Sequence, residues 1–260
     1  MKIHITGSAG FIGKVLVGAL SEAGHDMVAE LDQAGVVVHL AGIAHRNASR
    51  DEFHAANVAL PQRVARSAAS HGARFVFMSS VKVHGEQSAD PFTEASPIAP
   101  VGHYAESKAR AEDALRAVPD LGLTILRPPL VYGPGVKANF LALMRAVARR
   151  WPLPFAALEN RRSLIYVRNL VDAIIRCLDA EGTFLVSDGE AISTPQLCRE
   201  LGEALGRPAR LFPVPPIFVP RKLAGSLEVD DSAIRRAVGW RPPFKRKRGL
   251  QATADWYLSR

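Results

Sequence analysis

The first thirteen residues constrain this chain more than any other stretch. Lys2-Ile3-His4-Ile5-Thr6 has β-branched strand character, Gly7, Gly10 and Gly13 follow at every third position, and Val15 to Leu20 carries apolar residues at helical spacing. Each glycine has a physical role. Gly7 makes a tight turn, Gly10 lets backbone approach a pyrophosphate, and Gly13 lets the helix pack closely on the strand. The phosphates would rest on the helix N-terminus, where free N–H groups and the dipole favour anions. A dinucleotide is the ligand such a turn predicts.

Strand and helix keep alternating downstream. Asp26 to Glu30 reads as a short strand and Val36 to Gly42 as a buried one. Asn57 to His71 follows as a helix, Arg74 to Met78 as a strand ending in Ser79-Ser80, Tyr104 to Val118 as a helix and Leu123 to Leu126 as a strand. This order predicts an α/β fold, a Rossmann-type doubly wound parallel sheet with helices on both faces. Beyond Arg127-Pro128-Pro129 the pattern loosens into a smaller C-terminal substrate-binding subdomain. The expected division is a dinucleotide-binding domain over 1–150, to which 163–188 returns, and a substrate-binding part over 151–162 and 189–260. One step is missing. A βαβ unit takes roughly 30 residues, yet only Leu31 to Gly35 separates Glu30 from the next buried strand. Either the sheet is pruned there or a segment is absent, and a gap between neighbouring Cα atoms well beyond ~3.8 Å would reveal the second case.

Composition excludes several classes. With 48% hydrophobic and 22% charged residues the chain reads as an ordinary globular protein. Cys177 and Cys198 form no ligand spacing, so no disulfide framework and no metal site is expected. The apolar run from Val36 to Ala44 is interrupted by His39 and too short to span a bilayer, and a strand starting at residue 2 leaves no room for a targeting segment, so a cytoplasmic protein without membrane insertion is expected. The net charge of +8 is mostly dispersed, and the run Lys245-Arg246-Lys247-Arg248 lacks interleaved aromatics, which argues for a solvated tail and no nucleic acid.

Tyr104 and Lys108 lie four apart on one predicted helix and share a face. An ammonium near a phenol favours the phenolate, which would bring a group of pKa about 10 into acid/base use near neutrality. Ser80, at the carboxyl end of a strand, where open α/β sheets bind ligands, could bond the same substrate oxygen.

Taken together, Thr6-Gly7-x-x-Gly10-x-x-Gly13, Leu40-Ala41-Gly42, Ser79-Ser80, Tyr104-x-x-x-Lys108 and Arg127-Pro128 resemble the extended short-chain dehydrogenase/reductases, the NAD-dependent sugar epimerase/dehydratase family, over nearly the whole chain. The resemblance implies Ser80, Tyr104 and Lys108 as the catalytic trio. It implies NAD or NADP held by Gly7, Ala9, Gly10, Phe11, Ile12, Gly13, Leu40, Ala41, Gly42, Asn57, Tyr104, Lys108 and Pro128. It further implies a UDP-sugar substrate met by Ser80, Lys82, Asn139 and Arg162, and a homodimer through the helices starting at Asn57 and Tyr104.

Within the family, dehydratases follow the active-site hydroxyl with an Asp-Glu pair, because eliminating water needs a further acid and base. Val81 and Lys82 stand there instead. What remains is hydride exchange at C4. Ser79 to Val83, Arg127 to Phe140 and Phe184 to Glu190 are similar to the reductases of UDP-4-keto-6-deoxy-N-acetylhexosamines; a UDP-hexose 4-epimerase is the near alternative and a non-catalytic nucleotide-binding scaffold the distant one. Two departures stand out. The acidic residue after the second strand that selects NAD falls in the contracted stretch, where Glu30 and Asp32 are the candidates. A second contraction lies between Pro220 and Gly225, and Glu228 stands near where epimerases place a phosphate-binding arginine.

Overall fold

The computed structural model describes residues 1–44 and 48–260. β1 (Lys2–Thr6), β2 (Asp26–Met27), β3 (Val36–His39), β4 (Arg74–Met78), β5 (Leu123–Arg127) and β9 (Gly182–Leu185) form one parallel sheet in the order β2-β1-β3-β4-β5-β9. Val36, Val37 and Val38 are wholly buried, as a central parallel strand covered on both faces requires.

Helices cover both faces. α1 (Phe11–Glu22) and α6 (Val167–Arg176) pack on one, with Leu16, Leu20, Leu170, Ile174 and Trp240 in the core. On the other, α2 (Arg50–His54) leads through a π-helical turn, Ala55–Ala59, into α3 (Leu60–Ser70), beside α4 (His103–Arg116). Phe75, Phe77, Ala111 and Leu115 fill that side. The helix expected from Asn57 thus begins at Arg50. Its start is a capping box, with the Glu52 N–H donating to Ser49 Oγ at 3.2 Å and the Ser49 N–H to Glu52 Oε2 at 2.9 Å.

The rest builds a third core around Tyr132, Phe140, Met144, Leu201 and Leu250. It contains β6 (Leu130–Tyr132) paired with β8 (Leu164–Tyr166), and β7 (Pro152–Leu153) paired with β10 (Arg210–Leu211). Around them lie α5 (Ala138–Ala148), α7 (Thr194–Ala204), α8 (Arg221–Ala224), α9 (Ser232–Val238) and α10 (Arg246–Leu258). Of the expected run of solvated cations, Lys245, Lys247 and Arg248 are exposed at the start of α10, while Arg246 Nε donates to Glu200 at 3.0 Å and Arg248 lies over the Phe244 ring.

The sheet is pruned and the chain is continuous across the contraction. β2 is two residues long, not the five expected, and its ladder stops at Met27 opposite Ile3. The chain then crosses to the far side of β1 through the short turn Leu31–Gln33, tied by Val28 N–H to Ile3 O and Gly35 N–H to Lys2 O, both 3.0 Å. A parallel crossover normally needs a dozen residues because the chain must travel back along the strand. Here β2 ends level with the point where β3 begins, since Val36 also pairs with Ile3, so little return is needed.

Candidate active site

At the carboxyl end of β1 the chain turns at Gly7 (φ +78°), and Gly10 caps α1 with no side-chain cap and no acidic residue in the first turn. A Cβ on Gly7 would lie 2.7 Å from the Ala41 nitrogen, and one on Gly13 would run into the Gly7 carbonyl oxygen. Both glycines are therefore required by close backbone packing, and the helix N-terminus is left open to an anion. Ala9 is exposed and Phe11 and Ile12 half-buried at the start of α1; a Cβ on Gly135 would meet the Phe11 ring at 3.4 Å. Leu40 and Ala41 continue from β3, their N–H groups donating to Thr6 O (3.1 Å) and Thr6 Oγ1 (3.4 Å).

Two strand ends meet at the same carboxyl edge of the sheet. Ser80 follows β4, Pro128 follows β5, and Val81 N–H donates to the Pro128 carbonyl at 3.0 Å. Ser80 Oγ accepts from the Lys82 N–H at 3.2 Å, which leaves its proton for the Tyr104 phenol, its side-chain hydrogen-bond partner. On the same helix Lys108 Nζ donates to the Met78 carbonyl at 2.8 Å and sits 4.7 Å from the centre of the Phe77 ring. Burial brings the Lys108 ammonium down to about 8 against the pull of Glu112. The phenol departs from expectation. Desolvation raises the Tyr104 pKa, the Ser80 hydrogen bond lowers it, and Lys108 is not among the causes. Its resting state is the protonated phenol.

Asn57 is buried in the π-helical turn, a break in helical register that recurs at functional sites. It donates to Ser107 Oγ (2.9 Å) and Ile43 O (3.0 Å) and accepts from Ile43 N–H (2.8 Å), which ties the segment following β3 to α4. A Cβ on Gly42 would stand 2.8 Å from Asn57 Oδ1 and 3.7 Å from Lys108 Nζ, so these three expected residues are neighbours.

The remaining expected substrate contacts are Lys82, Arg162 and Asn139. Lys82 pairs with Glu86 at 3.5 Å, and Arg162, half-buried, donates to Gly225 O at 2.9 Å while its backbone bridges Ile192 and Leu227. Asn139 is exposed on α5. Glu228 is held by Arg161 in a two-point pair at 2.7 Å and 2.7 Å, so it is occupied as a partner to an arginine.

Sequence reasoning missed a buried ionic cluster under this site. Glu112 accepts from Ser79 Oγ (2.5 Å), Arg127 Nε (2.9 Å), Arg127 Nη2 and Arg116 Nη2 (2.9 Å). Arg127 Nη1 faces His84 Nε2 at 2.9 Å, and because a guanidinium only donates, that nitrogen accepts and the proton sits on Nδ1, facing Pro97 O at 3.1 Å. One cluster thus fixes the residues before Ser80 and Pro128 and the helix bearing Tyr104 and Lys108. The signal was Glu112 itself, one further step of four along the Tyr104–Lys108 face.

The residues expected to hold a dinucleotide fall in two places, the glycine turn with its open helix start, and Tyr104 and Lys108 on α4 with Pro128 joined through Val81 to the segment after Ser80. An open groove of about 850 Å³ along α1 and α6, lined by Lys14, Arg168, Asp172 and Phe244, includes none of the trio.

The profile of the NAD dependent epimerase/dehydratase family matches residues 27–186. A curated relative, the UDP-glucose 4-epimerase of Vibrio cholerae, is 36% identical over an alignment of 312 positions covering 98% of this chain and 95% of the relative. An alignment longer than the 260-residue chain means that the relative has segments this chain lacks. Among solved structures, the UDP-N-acetylglucosamine 4-epimerase of Bacillus cereus superposes with a TM-score of 0.84 at 19% identity, and RMD from Pseudomonas aeruginosa, complexed with NADPH, with 0.82 at 22%; each covers 100% of this chain and is itself 99% covered.

Proposed function

The chain belongs to the NAD dependent epimerase/dehydratase family of extended short-chain dehydrogenase/reductases, and from that membership we propose a nucleotide-sugar oxidoreductase that reduces a UDP-4-keto-6-deoxy-N-acetylhexosamine at C4. It is an enzyme of NAD(P)-dependent, epimerase/dehydratase-type chemistry. What supports the finer reading is the likeness of Ser79 to Val83, Arg127 to Phe140 and Phe184 to Glu190 to the 4-keto-sugar reductases. Reduction of a ketone consumes a proton at the oxygen, which the Tyr104 phenol would give, whereas an epimerase begins by taking a proton from the C4 hydroxyl. Val81 and Lys82, in place of an acid pair, count against dehydration.

The bound dinucleotide supplies the hydride. Ser80 would bond the substrate oxygen and orient the phenol, Tyr104 would donate the proton, and Lys108, fixed by the Met78 carbonyl, would hold a ribose hydroxyl and steady the negative charge left on the phenol. Asn139 and Arg162 would meet the nucleotide diphosphate and Lys82 would also contact the substrate, alongside a substrate-binding part formed by 151–162 and 189–260.

A 4-epimerase remains the second reading, favoured by the name of the Vibrio relative. The test is oxidation of NADH and of NADPH, followed by absorbance, with the 4-keto sugar and folded protein. Stoichiometric loss supports the reductase. No loss with either cofactor removes it, and nucleotide retained through purification together with C4 inversion of a UDP-hexose supports the epimerase.

A further inference from the structure

We infer that the described residues between β2 and β3 do not read the 2′ position of the adenosine ribose, so that NAD and NADP bind this chain equally; the inference rests on the dinucleotide site proposed above. In a doubly wound sheet the reader of that position is an acidic side chain that follows the second strand at its carboxyl end, where it accepts from the 2′-hydroxyl, or a cation that accommodates a 2′-phosphate. This chain has the second strand only in part. β2 leaves the ladder at Met27, opposite Ile3, whereas β3 runs beside β1 to Thr6. Gly7 lies four residues beyond Ile3, about 13 Å at ~3.3 Å per residue.

The connection that carries the candidate readers leaves and rejoins the sheet at the start of β1. Its two backbone anchors on β1 are Ile3 O, bonded by Val28, and Lys2 O, bonded by Gly35. Between them Glu30 and Asp32 are exposed. Asp26, the remaining carboxylate between Gly24 and Arg50, pairs opposite Lys2. The other wall of the site is intact: Gly7 and Gly13 are packed as the phosphates require, and Gly42, Asn57 and Lys108 are in mutual reach. Grip is thus retained at the phosphate and nicotinamide end and given up at the adenosine ribose. A loosely anchored cofactor suits an enzyme that exchanges it each turnover, as a reductase does, and not one that keeps it.

The test is titration of the full chain, without sugar, by NADH and by NADPH, read as ligand fluorescence or heat. A carboxylate bonded to the 2′-hydroxyl would give roughly ten- to a hundredfold preference for NADH. We expect dissociation constants within about threefold of each other, and Glu30→Ala and Asp32→Ala each leaving their ratio unchanged. A preference of about tenfold or more overturns the inference, whether a substitution abolishes it or it survives both. Binding with strong preference leaves the proposed function standing. Folded protein that binds neither nucleotide removes both.

Discussion

Lys108 makes the sharpest residue-level prediction, because activity and stability should part company as pH rises. Its ammonium falls to about 8 from an ordinary 10.5, so the unfolded chain binds the additional proton between those values, and this group's contribution to stability grows as pH climbs through that window. Turnover should instead decline above about pH 8 as the ammonium is lost. A pH–rate profile and melting temperatures over the same range check this; turnover and melting temperature falling together would refute it. Tyr104→Phe should cut turnover by roughly 10²–10⁴ with the fold retained, read by single-turnover kinetics and circular dichroism. Glu112→Ala strips the buried Arg127 of its carboxylate and should cost about 3–5 kcal/mol in urea unfolding, with Glu112→Gln costing less. Ser80, Tyr104 and Lys108 are legible in the sequence because spacing along a helix and the end of a strand are local properties. The links of Arg127 to Glu112 and His84 span 15 and 43 residues and exist only once three elements meet.

At the scale of elements, α1 offers two glycines with opposite expected signs. Gly13→Ala drives a methyl into the Gly7 carbonyl and should destabilise by about 1–3 kcal/mol or more, because backbone cannot yield as a side chain would. Gly18→Ala, exposed in mid-helix with nothing within 4 Å, should stabilise by about 0.5–1 kcal/mol. Denaturation midpoints of the two variants decide. β4 is legible to its observed limits because Phe75 to Met78 is an apolar run bounded by Arg74 and Ser79. β2 is shorter than its sequence suggests because nothing in Val28 to Glu30 announces that the chain will leave β1 after two residues. The helical region leading into α3 starts earlier than its apolar pattern indicates, although Ser49-x-x-Glu52 carries the signal, and the π turn at Asn57 reflects its fit between Ile43 and Ser107, a tertiary demand.

For the whole molecule, strand–helix alternation suffices to give the doubly wound sheet, while the path across the missing step needs coordinates, since a chain shortened in the middle can close in more than one way. Around the second expected contraction the chain makes the short turn Pro216–Phe218 and the four-residue α8, and Ile217 and Phe218 stand 85% and 76% exposed. A homodimer through α3 and α4 would bring exposed Arg63, Arg66 and Arg110 near their copies. Self-association should therefore strengthen with ionic strength, in sedimentation at low and high salt, and weakening by salt would count against that pairing. The two-residue β2 has one more consequence. Alongside His4 to Thr6 the outer flank of β1 carries no strand among the described residues, so on warming it becomes a seam to which a second molecule's chain can zip. Turbidity should then rise before the helices melt, and the protein's useful temperature range would be limited by clumping rather than by unfolding.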